Sequence, residues 1–427
     1  MFFRLRYAAT NTRGRRNMSK VVLAYSGGLD TSVALHWLSY TKGFEVVALI
    51  ANLGQGKNLE AVGERAIQIG AVAGIVADLR KTFVEEYVIP TLRANAMYES
   101  GYYLSAALGR ATICVELVNI ARQQRCHYVA HGCTAKGNDQ VRFEASVAAL
   151  APDLEIIAPL REWPFKSRDE EIDYAESHNI PIKVSKAAPY SIDYNLWGRS
   201  MECGVLEDPW QEPPEDIYVM SVSPEKAPDE PVTIEIGFEA GNPVALDGER
   251  LDGLSLITRL NEIAGSHGIG RSDMIENRLI GFKSREVYEA PAATVLHLAH
   301  RALEELTLSA GVLHFKEPLS RQYSELVYNG RWFGILRPAL DAFFSKIQEF
   351  VTGTVRLKLY KGAASVIGRK SPYSLYDRKL ASYGPKDSFP HSAAPGFLSI
   401  WSLPLKTEAG RKKAAESAEK ETPESKP

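Results

Sequence analysis

The chain has 427 residues, enough for two or three domains with a large buried core, and its formal net charge of −2 gives no general electrostatic reason to bind nucleic acid. The four cysteines, Cys114, Cys126, Cys133 and Cys203, show no CxxC or metal-ligand spacing and read as reduced thiols of a cytoplasmic protein. No apolar run approaches the roughly 20 residues that span a bilayer, so no membrane partner is expected.

Residues 1–17 form a basic extension, with Arg4, Arg6, Arg13, Arg15 and Arg16 and no acid, and are expected to be disordered. The composition fits an organelle transit peptide or a start codon placed ahead of Met18; the short length favours the second. Over 18–180, apolar runs alternate with helical patterns, which predicts a parallel-sheet α/β nucleotide-binding domain. Strands are expected at 20–25, 45–52, 73–78, 128–131 and 155–159, and helices at 32–40, 59–69, 84–94, 104–123 and 168–178. Ligands of such sheets sit beyond the carboxyl ends of the strands. Three segments fall there: the loop from Ser26, Asn52-Leu53-Gly54-Gln55, and His131-Gly132.

The loop reads Ser26-Gly27-Gly28-Leu29-Asp30-Thr31-Ser32 and leads into a helix. Adjacent glycines let the backbone approach an anion, the opening amides carry the positive end of the helix dipole, and Ser26, Thr31 and Ser32 add hydroxyls. A plain strand-to-helix turn is the alternative reading. The loop lacks the Lys of GxxxxGK[ST] and is not GxGxxG. It resembles the pyrophosphate loop of the N-type ATP pyrophosphatases, which implies cleavage of ATP between its α- and β-phosphates.

Residues 131–144 gather polar side chains around two glycines after a buried strand. Asn138, Asp139, Thr134 and Arg142 can bond both the ammonium and the carboxylate of an amino acid, Arg142 through a bidentate fork. The alternative is a solvated loop with an Asx-turn at Asn138-Asp139.

Residues 181–370 read as a second, α+β domain, with Pro-rich connections at 209–214 and 224–231. Strands are expected at 232–238, 355–360 and 365–368, the last two forming a hairpin that turns at Lys361-Gly362. Within this domain, 191–200 with Glu202 and 204–210 could specify a polar substrate, although alone it reads better as a linking loop. Residues 270–289 are dense in charges of both signs and suit a salt-bridge network. A helical stretch at 319–350, broken near Gly330 and Pro338, presents an apolar face to the core and in part to a subunit interface. Residues 371–427 read as a C-terminal helical and hairpin oligomerisation segment that ends, from 406, in a frayed tail.

AYSGGLDTS, HGxTxKGNDQVRFE, NLWGRS with GVLEDPW, and ENRxIGxKSRxxYE occur here in the order and near the spacing found in the argininosuccinate synthase family, which the chain resembles from about 18 to 405. The resemblance implies an adenine nucleotide alpha hydrolase-like domain joined to a synthetase domain in a cytoplasmic homotetramer. It implies a carbon–nitrogen ligase of arginine biosynthesis or the urea cycle, condensing L-citrulline and L-aspartate with ATP and Mg²⁺ to give argininosuccinate, AMP and pyrophosphate. It assigns ATP to Ala24, Tyr25, Ser26, Gly27, Gly28, Leu29, Asp30, Thr31, Ser32, Ala51 and Gly132. L-aspartate falls to Thr134, Asn138 and Asp139, and L-citrulline to Tyr102, Asn138, Arg142, Ser191, Ser200, Glu276 and Tyr288.

The expected chemistry has the ureido oxygen attack the α-phosphorus and the aspartate amine then displace AMP. Asp30, ordering the loop or the metal, and Asp139, accepting the amine's proton, are the catalytic candidates. Ala106 and Ala107 stand where the family has hydroxyls, with Ser105 the neighbouring substitute, and Cys133 and Ala135 stand where it has Ala and Gly. Two rivals differ in class. A tRNA-modifying ATP pyrophosphatase calls for a basic face and, in thiolating members, paired cysteines. A nucleotide-binding protein without catalysis leaves the segments at Thr134, Ser191 and Glu276 without a purpose.

Overall fold

Along strands β2 (Lys20–Ala24) and β3 (Glu45–Asn52), successive side chains enter two different apolar clusters. Val22, Val47 and Leu49 enter one; Val21, Leu23, Val46, Ala48 and Ile50 enter the other. Both faces of the sheet are therefore covered, as continuous apolar runs require. The computed structural model describes residues 4–7, 19–56, 58–99, 101–134, 136–181, 190–384 and 387–421.

Strands β1 (Arg4–Tyr7), β2, β3, β4 (Ala73–Asp78), β5 (Tyr128–His131) and β6 (Glu155–Ile157) form a six-stranded sheet in the order β1-β4-β3-β2-β5-β6. All pairings from β4 to β6 are parallel, and β1 runs antiparallel on the β4 edge. Residues 4–7 are thus a strand, where the basic extension is expected to be disordered; the free backbone groups of the β4 edge supply its partners. The other residues of that extension lie outside the described ones. β6 stops before 159 because Pro159 opens the next helix. The chain begins centrally at β2, runs outward through β3 and β4, and resumes at β5 on the opposite side. The resulting crevice lies at the carboxyl ends of β2 and β5.

Helices α1 (Leu29–His36), α2 (Leu59–Ile69), α3 (Arg80–Thr82), α4 (Ile89–Arg93), α5 (Ser105–Gln123), α6 (Asn138–Leu150), α7 (Pro159–Glu162) and α8 (Arg168–Ser177) connect and flank these strands. α1 starts earlier than expected, at Leu29 behind an extended Gly28. The segment 138–150, weighed as a loop at its start, is the helix α6.

The remaining strands are β7 (Ser191–Asn195), β8 (Gly198–Glu202), β9 (Val232–Glu239), β10 (Asn242–Leu246), β11 (Glu249–Arg250), β12 (Arg271–Asn277), β13 (Lys283–Glu289), β14 (Gly353–Tyr360) and β15 (Ala363–Lys370). They form two antiparallel sheets, β11-β10-β9-β14-β15 and β12-β13-β8-β7. β14 and β15 turn at Lys361 and Gly362, both at positive φ, 43° and 82°, as a tight hairpin needs. Helices α9 (Gly253–Ser266), α10 (Pro291–Thr307), α11 (Ala310–Tyr328) and α12 (Leu336–Gln348) complete this region. The break between the last two falls around Gly330. Pro338 lies in the first turn of α12 and does not interrupt it.

The expected nucleotide and synthetase regions pack as one compact unit extending to Tyr373. One apolar cluster joins Leu53, Leu104 and Leu108 to Leu196, Trp197 and Leu296. Residues 374–427 form a second unit, with α13 (Arg378–Ala381), α14 (Ala394–Trp401) and α15 (Leu403–Glu421). α15 is helical where the composition reads as a frayed tail, in keeping with the helix propensity of its Ala, Lys and Glu residues. Among the described residues no helix is long and apolar enough to cross a membrane.

Candidate active site

At the crevice the Ser26 loop and Gly132 come together, and the 52–56 turn follows the neighbouring strand β3. Gly132 follows His131, which pairs with Ala24, and a Cβ on Gly132 would lie 2.6 Å from Thr31 Cγ2. Gly27 adopts φ 77°, and a Cβ there would meet Arg65 Nη2 at 2.7 Å and Val62 Cγ1 at 2.8 Å. The loop is tied internally. Tyr25 Oη and Ser32 Oγ are 3.0 Å apart, as are Ser26 Oγ and Thr31 Oγ1, and the Gly28 amide donates to Ser26 Oγ at 3.3 Å. Tyr25, Leu29, Thr31 and Ser32 are buried and hold the loop's shape, whereas Ser26 and Gly28 are exposed. No side chain caps α1, which leaves its opening amides for an anion. Ala51 presents its carbonyl to Gln55 Nε2 at 2.6 Å, and Gln55 Oε1 accepts the Leu53 amide at 2.7 Å, so Gln55 pins the neighbouring turn.

Asp30, in the first turn of α1, faces Glu171 of α8. Burial raises the Asp30 carboxyl against the pull of Arg168, and burial beside Asp30 pushes Glu171 up to about 8. Glu171 Oε2 is buried without a hydrogen-bond partner among the described residues.

The second half of the site is one face of the β12-β13-β8-β7 sheet. Register aligns Asp193, Ser200, Tyr288 and Ser272 in a row, and alternation places Ser191, Glu202, Glu276 and Glu286 on the same face. The opposite face sends Met201 and Val287 into an apolar cluster with Leu206 and Ile217. Each oxygen of Glu276 accepts a phenol at 2.6 Å, Oε2 from Tyr288 and Oε1 from Tyr328. Asn138 Nδ2 donates to Tyr328 Oη at 2.7 Å, and Asn138 Oδ1 accepts the Leu279 amide at 3.1 Å. Arg142 Nε donates to the Tyr328 carbonyl at 2.9 Å. Tyr102 stacks on Tyr288 with centroids 4.5 Å apart, and Tyr98 stacks on Tyr328 at 3.6 Å. Burial first, and Glu276 after it, raises the Tyr328 phenol. Arg278 pairs with both Glu202 and Glu286.

Asp139 is clamped. Its Oδ2 accepts from Arg110 Nε at 3.0 Å and Nη2 at 2.8 Å, its Oδ1 accepts from Arg142 Nη1 at 2.8 Å, and Arg110 also reaches Asp193 at 3.1 Å. Burial alone would raise Asp139, but Arg110 and Arg142 outweigh it and lower the carboxyl below its ordinary value. So held, Asp139 is a weaker base than a free carboxylate, which counts against the proton-accepting role expected of it.

Where hydroxyls were missed at Ala106 and Ala107, Tyr102 intervenes. Its Oη accepts the Ala106 amide at 2.8 Å and the Ala107 amide at 3.3 Å, capping α5. Ser105 is buried and contributes its carbonyl, which accepts Asn195 Nδ2 at 2.9 Å. The structure thus joins Tyr102, Asn138, Asp139, Arg142, Glu276 and Tyr288 in one network through Tyr328 and brings Ser200 beside them by register. Thr134 and Ser191 lie at exposed rims, and Ala135 lies outside the described residues. Sequence reasoning missed Tyr98, Arg110 and Tyr328, and had Asp193 only as one of the polar residues of 191–200. Of these, Arg110 carries a signal, a guanidinium in the otherwise uncharged first half of α5.

Residues 20–181 match the family model described as the arginosuccinate synthase N-terminal HUP domain, and residues 190–408 match its C-terminal domain. The chain is 58% identical over 396 residues to the argininosuccinate synthase of Symbiobacterium thermophilum, covering 92% of this chain and 98% of that one. It is 56% identical to that of Chlorobium limicola and 57% identical to that of Aquifex aeolicus, covering 91% of this chain and 97% of theirs in both cases.

Proposed function

The chain belongs to the argininosuccinate synthase family, ligases of arginine biosynthesis acting on ATP, L-citrulline and L-aspartate, and on that premise we propose how its residues divide the three substrates. ATP takes the Ser26 loop with Ala51 and Gly132. Citrulline takes the face bearing Ser191, Ser200, Glu276 and Tyr288 with Tyr102, Asn138 and Arg142. Aspartate takes Thr134, Asn138 and Asp139. The observation that carries this division is the place of Asn138. It opens α6 shortly after Gly132, is bonded through Tyr328 to Glu276, and precedes the clamped Asp139.

In the proposed course the citrulline ureido oxygen attacks the α-phosphorus and expels pyrophosphate, and the aspartate amine then attacks the activated ureido carbon and expels AMP. No covalent nucleophile is required of the protein. Its contribution is alignment, together with loop amides and hydroxyls set against the charge of the departing pyrophosphate. The low basicity of Asp139 suits it to holding the aspartate ammonium as the substrate binds; the ammonium gives up a proton to solvent before its nitrogen attacks.

Mg²⁺ accompanies ATP in this reading. The Asp30–Glu171 carboxyl pair, with its unpartnered oxygen, fits a hard divalent ion that takes one or two carboxylates and completes its shell with phosphate and water. These two residues would hold it, and the ion when bound neutralises phosphate charge. Assembly as a homotetramer is supported by exposed Phe397, Ile400 and Trp401 on α14. A cytoplasmic setting is supported by four free cysteines.

Pyrophosphate release from ATP, measured with citrulline and aspartate singly and together, tests the reading. Release is expected to depend on citrulline, and ¹⁸O in its ureido group should reach AMP. Substrate-independent release, or unlabelled AMP, would overturn it.

A further inference from the structure

α11 reads in the sequence as a core or interface helix, yet its last residue, Tyr328, is 1% exposed and meets three of the residues assigned to substrate. Its hydroxyl donates to Glu276 Oε1 and accepts from Asn138 Nδ2. Its carbonyl, one of those a helix C-terminus leaves without a partner, accepts from Arg142 Nε. Its ring lies under the Arg142 guanidinium, 4.9 Å from centroid to Cζ, and is stacked on its other contact by Tyr98.

Counting donors and acceptors shows what this arrangement leaves. Asn138 is fixed in one amide orientation, Oδ1 to Leu279 and Nδ2 to Tyr328, and keeps one N–H and one lone pair. Arg142 gives Nε to Tyr328 and Nη1 to Asp139. Glu276 has one lone pair on each oxygen committed to a phenol and keeps the others. The remaining valences are those an amino-acid ammonium and carboxylate can use.

We propose that Tyr328 is a positioning residue of the citrulline site, fixing the Asn138 amide, the Glu276 carboxylate and the Arg142 guanidinium in the orientation that receives the substrate. The inference rests on the assignment of citrulline made above. It places the effect on citrulline and leaves ATP untouched, because the hydrogen bonds and ring contacts of Tyr328 among the described residues go to Asn138, Arg142, Glu276, Tyr98 and Tyr102 and not to the Ser26 loop.

Tyr328→Phe keeps the ring and its stacking and removes both hydroxyl bonds. Tyr323→Phe is the control. Tyr323 lies on the same helix, is fully buried, and donates to Asp341 at 2.9 Å, away from the site. In steady-state assays of the full chain, Tyr328→Phe should raise the citrulline KM about ten- to a hundredfold, the equivalent of a hydrogen bond to a charged group. Its ATP KM should stay within about twofold, the spread of context effects, and Tyr323→Phe should leave the citrulline KM unchanged even where its urea midpoint falls as far. A citrulline KM unaltered in Tyr328→Phe, or raised equally in both variants, would overturn the inference while the functional reading stands. A wild-type protein that forms no argininosuccinate would overturn both.

Discussion

The phenol oxygen of Tyr102 lies 2.8 Å from the amide nitrogen of Ala106, in the place a Ser or Thr side chain takes at most helix starts. The same ring packs face to face on Tyr288. One residue therefore both caps α5 and lines the face proposed for citrulline.

Tyr102→Phe is expected to lower stability by about 1 kcal/mol, the usual worth of an N-cap, and to raise the citrulline KM as the ring loses its anchor. Urea denaturation and citrulline titrations check the two effects. Introducing Ala106→Thr into Tyr102→Phe should recover part of the stability without the KM.

Arg110→Met removes the guanidinium shared by Asp139 and Asp193. Breaking these half-buried pairs from one side should cost about 1.5–3 kcal/mol, the worth of a hydrogen bond to a charged group, and the aspartate KM should rise with it. Arg110→Lys keeps the charge but not the fork and should restore only part of either.

Gly27→Ala places a methyl group against Val62 and Arg65 at a backbone angle that suits glycine. The expected outcome is a raised KM for ATP with the citrulline KM near its wild-type value, read from initial rates with each substrate varied in turn.

His297 makes stability depend on pH. Burial, with His300 and Lys316 adding to it, pushes the imidazole down to about 3. The folded protein keeps it neutral, while the unfolded chain takes up a proton near pH 6.5. Stability is thus full above about 6.5 and declines as pH falls toward 3, by about 1.4 kcal/mol per pH unit for this group alone. His297→Phe should flatten part of that decline in urea midpoints measured between pH 7.5 and 5. Because Nε2 is buried without a partner among the described residues, the substitution should cost little at neutral pH.

The central strands were legible because Val21-Val22-Leu23 and Val46 to Ile50 are buried on both faces and so form unbroken apolar runs. The Ser26 loop was legible for a different reason: its glycines and hydroxyls leave few other uses. Strands β7, β8, β12 and β13 were not. Polar residues stand on both faces, Ser200, Glu202 and Glu276 on one and Arg199, Asp273, Arg285 and Glu289 on the other, and this hides the alternation that marks a half-buried strand. Tyr328 was hidden in the opposite way, since an aromatic residue at helical spacing looks the same whether it fills a core or orients a carboxylate. Arg110 and Asp139 were each visible, but their pairing across 29 positions exists only once α5 and α6 pack.

Asn138 and Tyr328 are 190 positions apart. A polypeptide emerging from a ribosome completes β2, β3, β5 and α8, the elements that flank the Ser26 loop, by residue 177. The pocket proposed for citrulline waits for residues 276, 288 and 328. Because domains fold from the N-terminus as they are made, the nucleotide pocket can form on the nascent chain well before anything exists for ATP to activate, and the last pieces of the pocket to arrive are those that let its cleavage make a product.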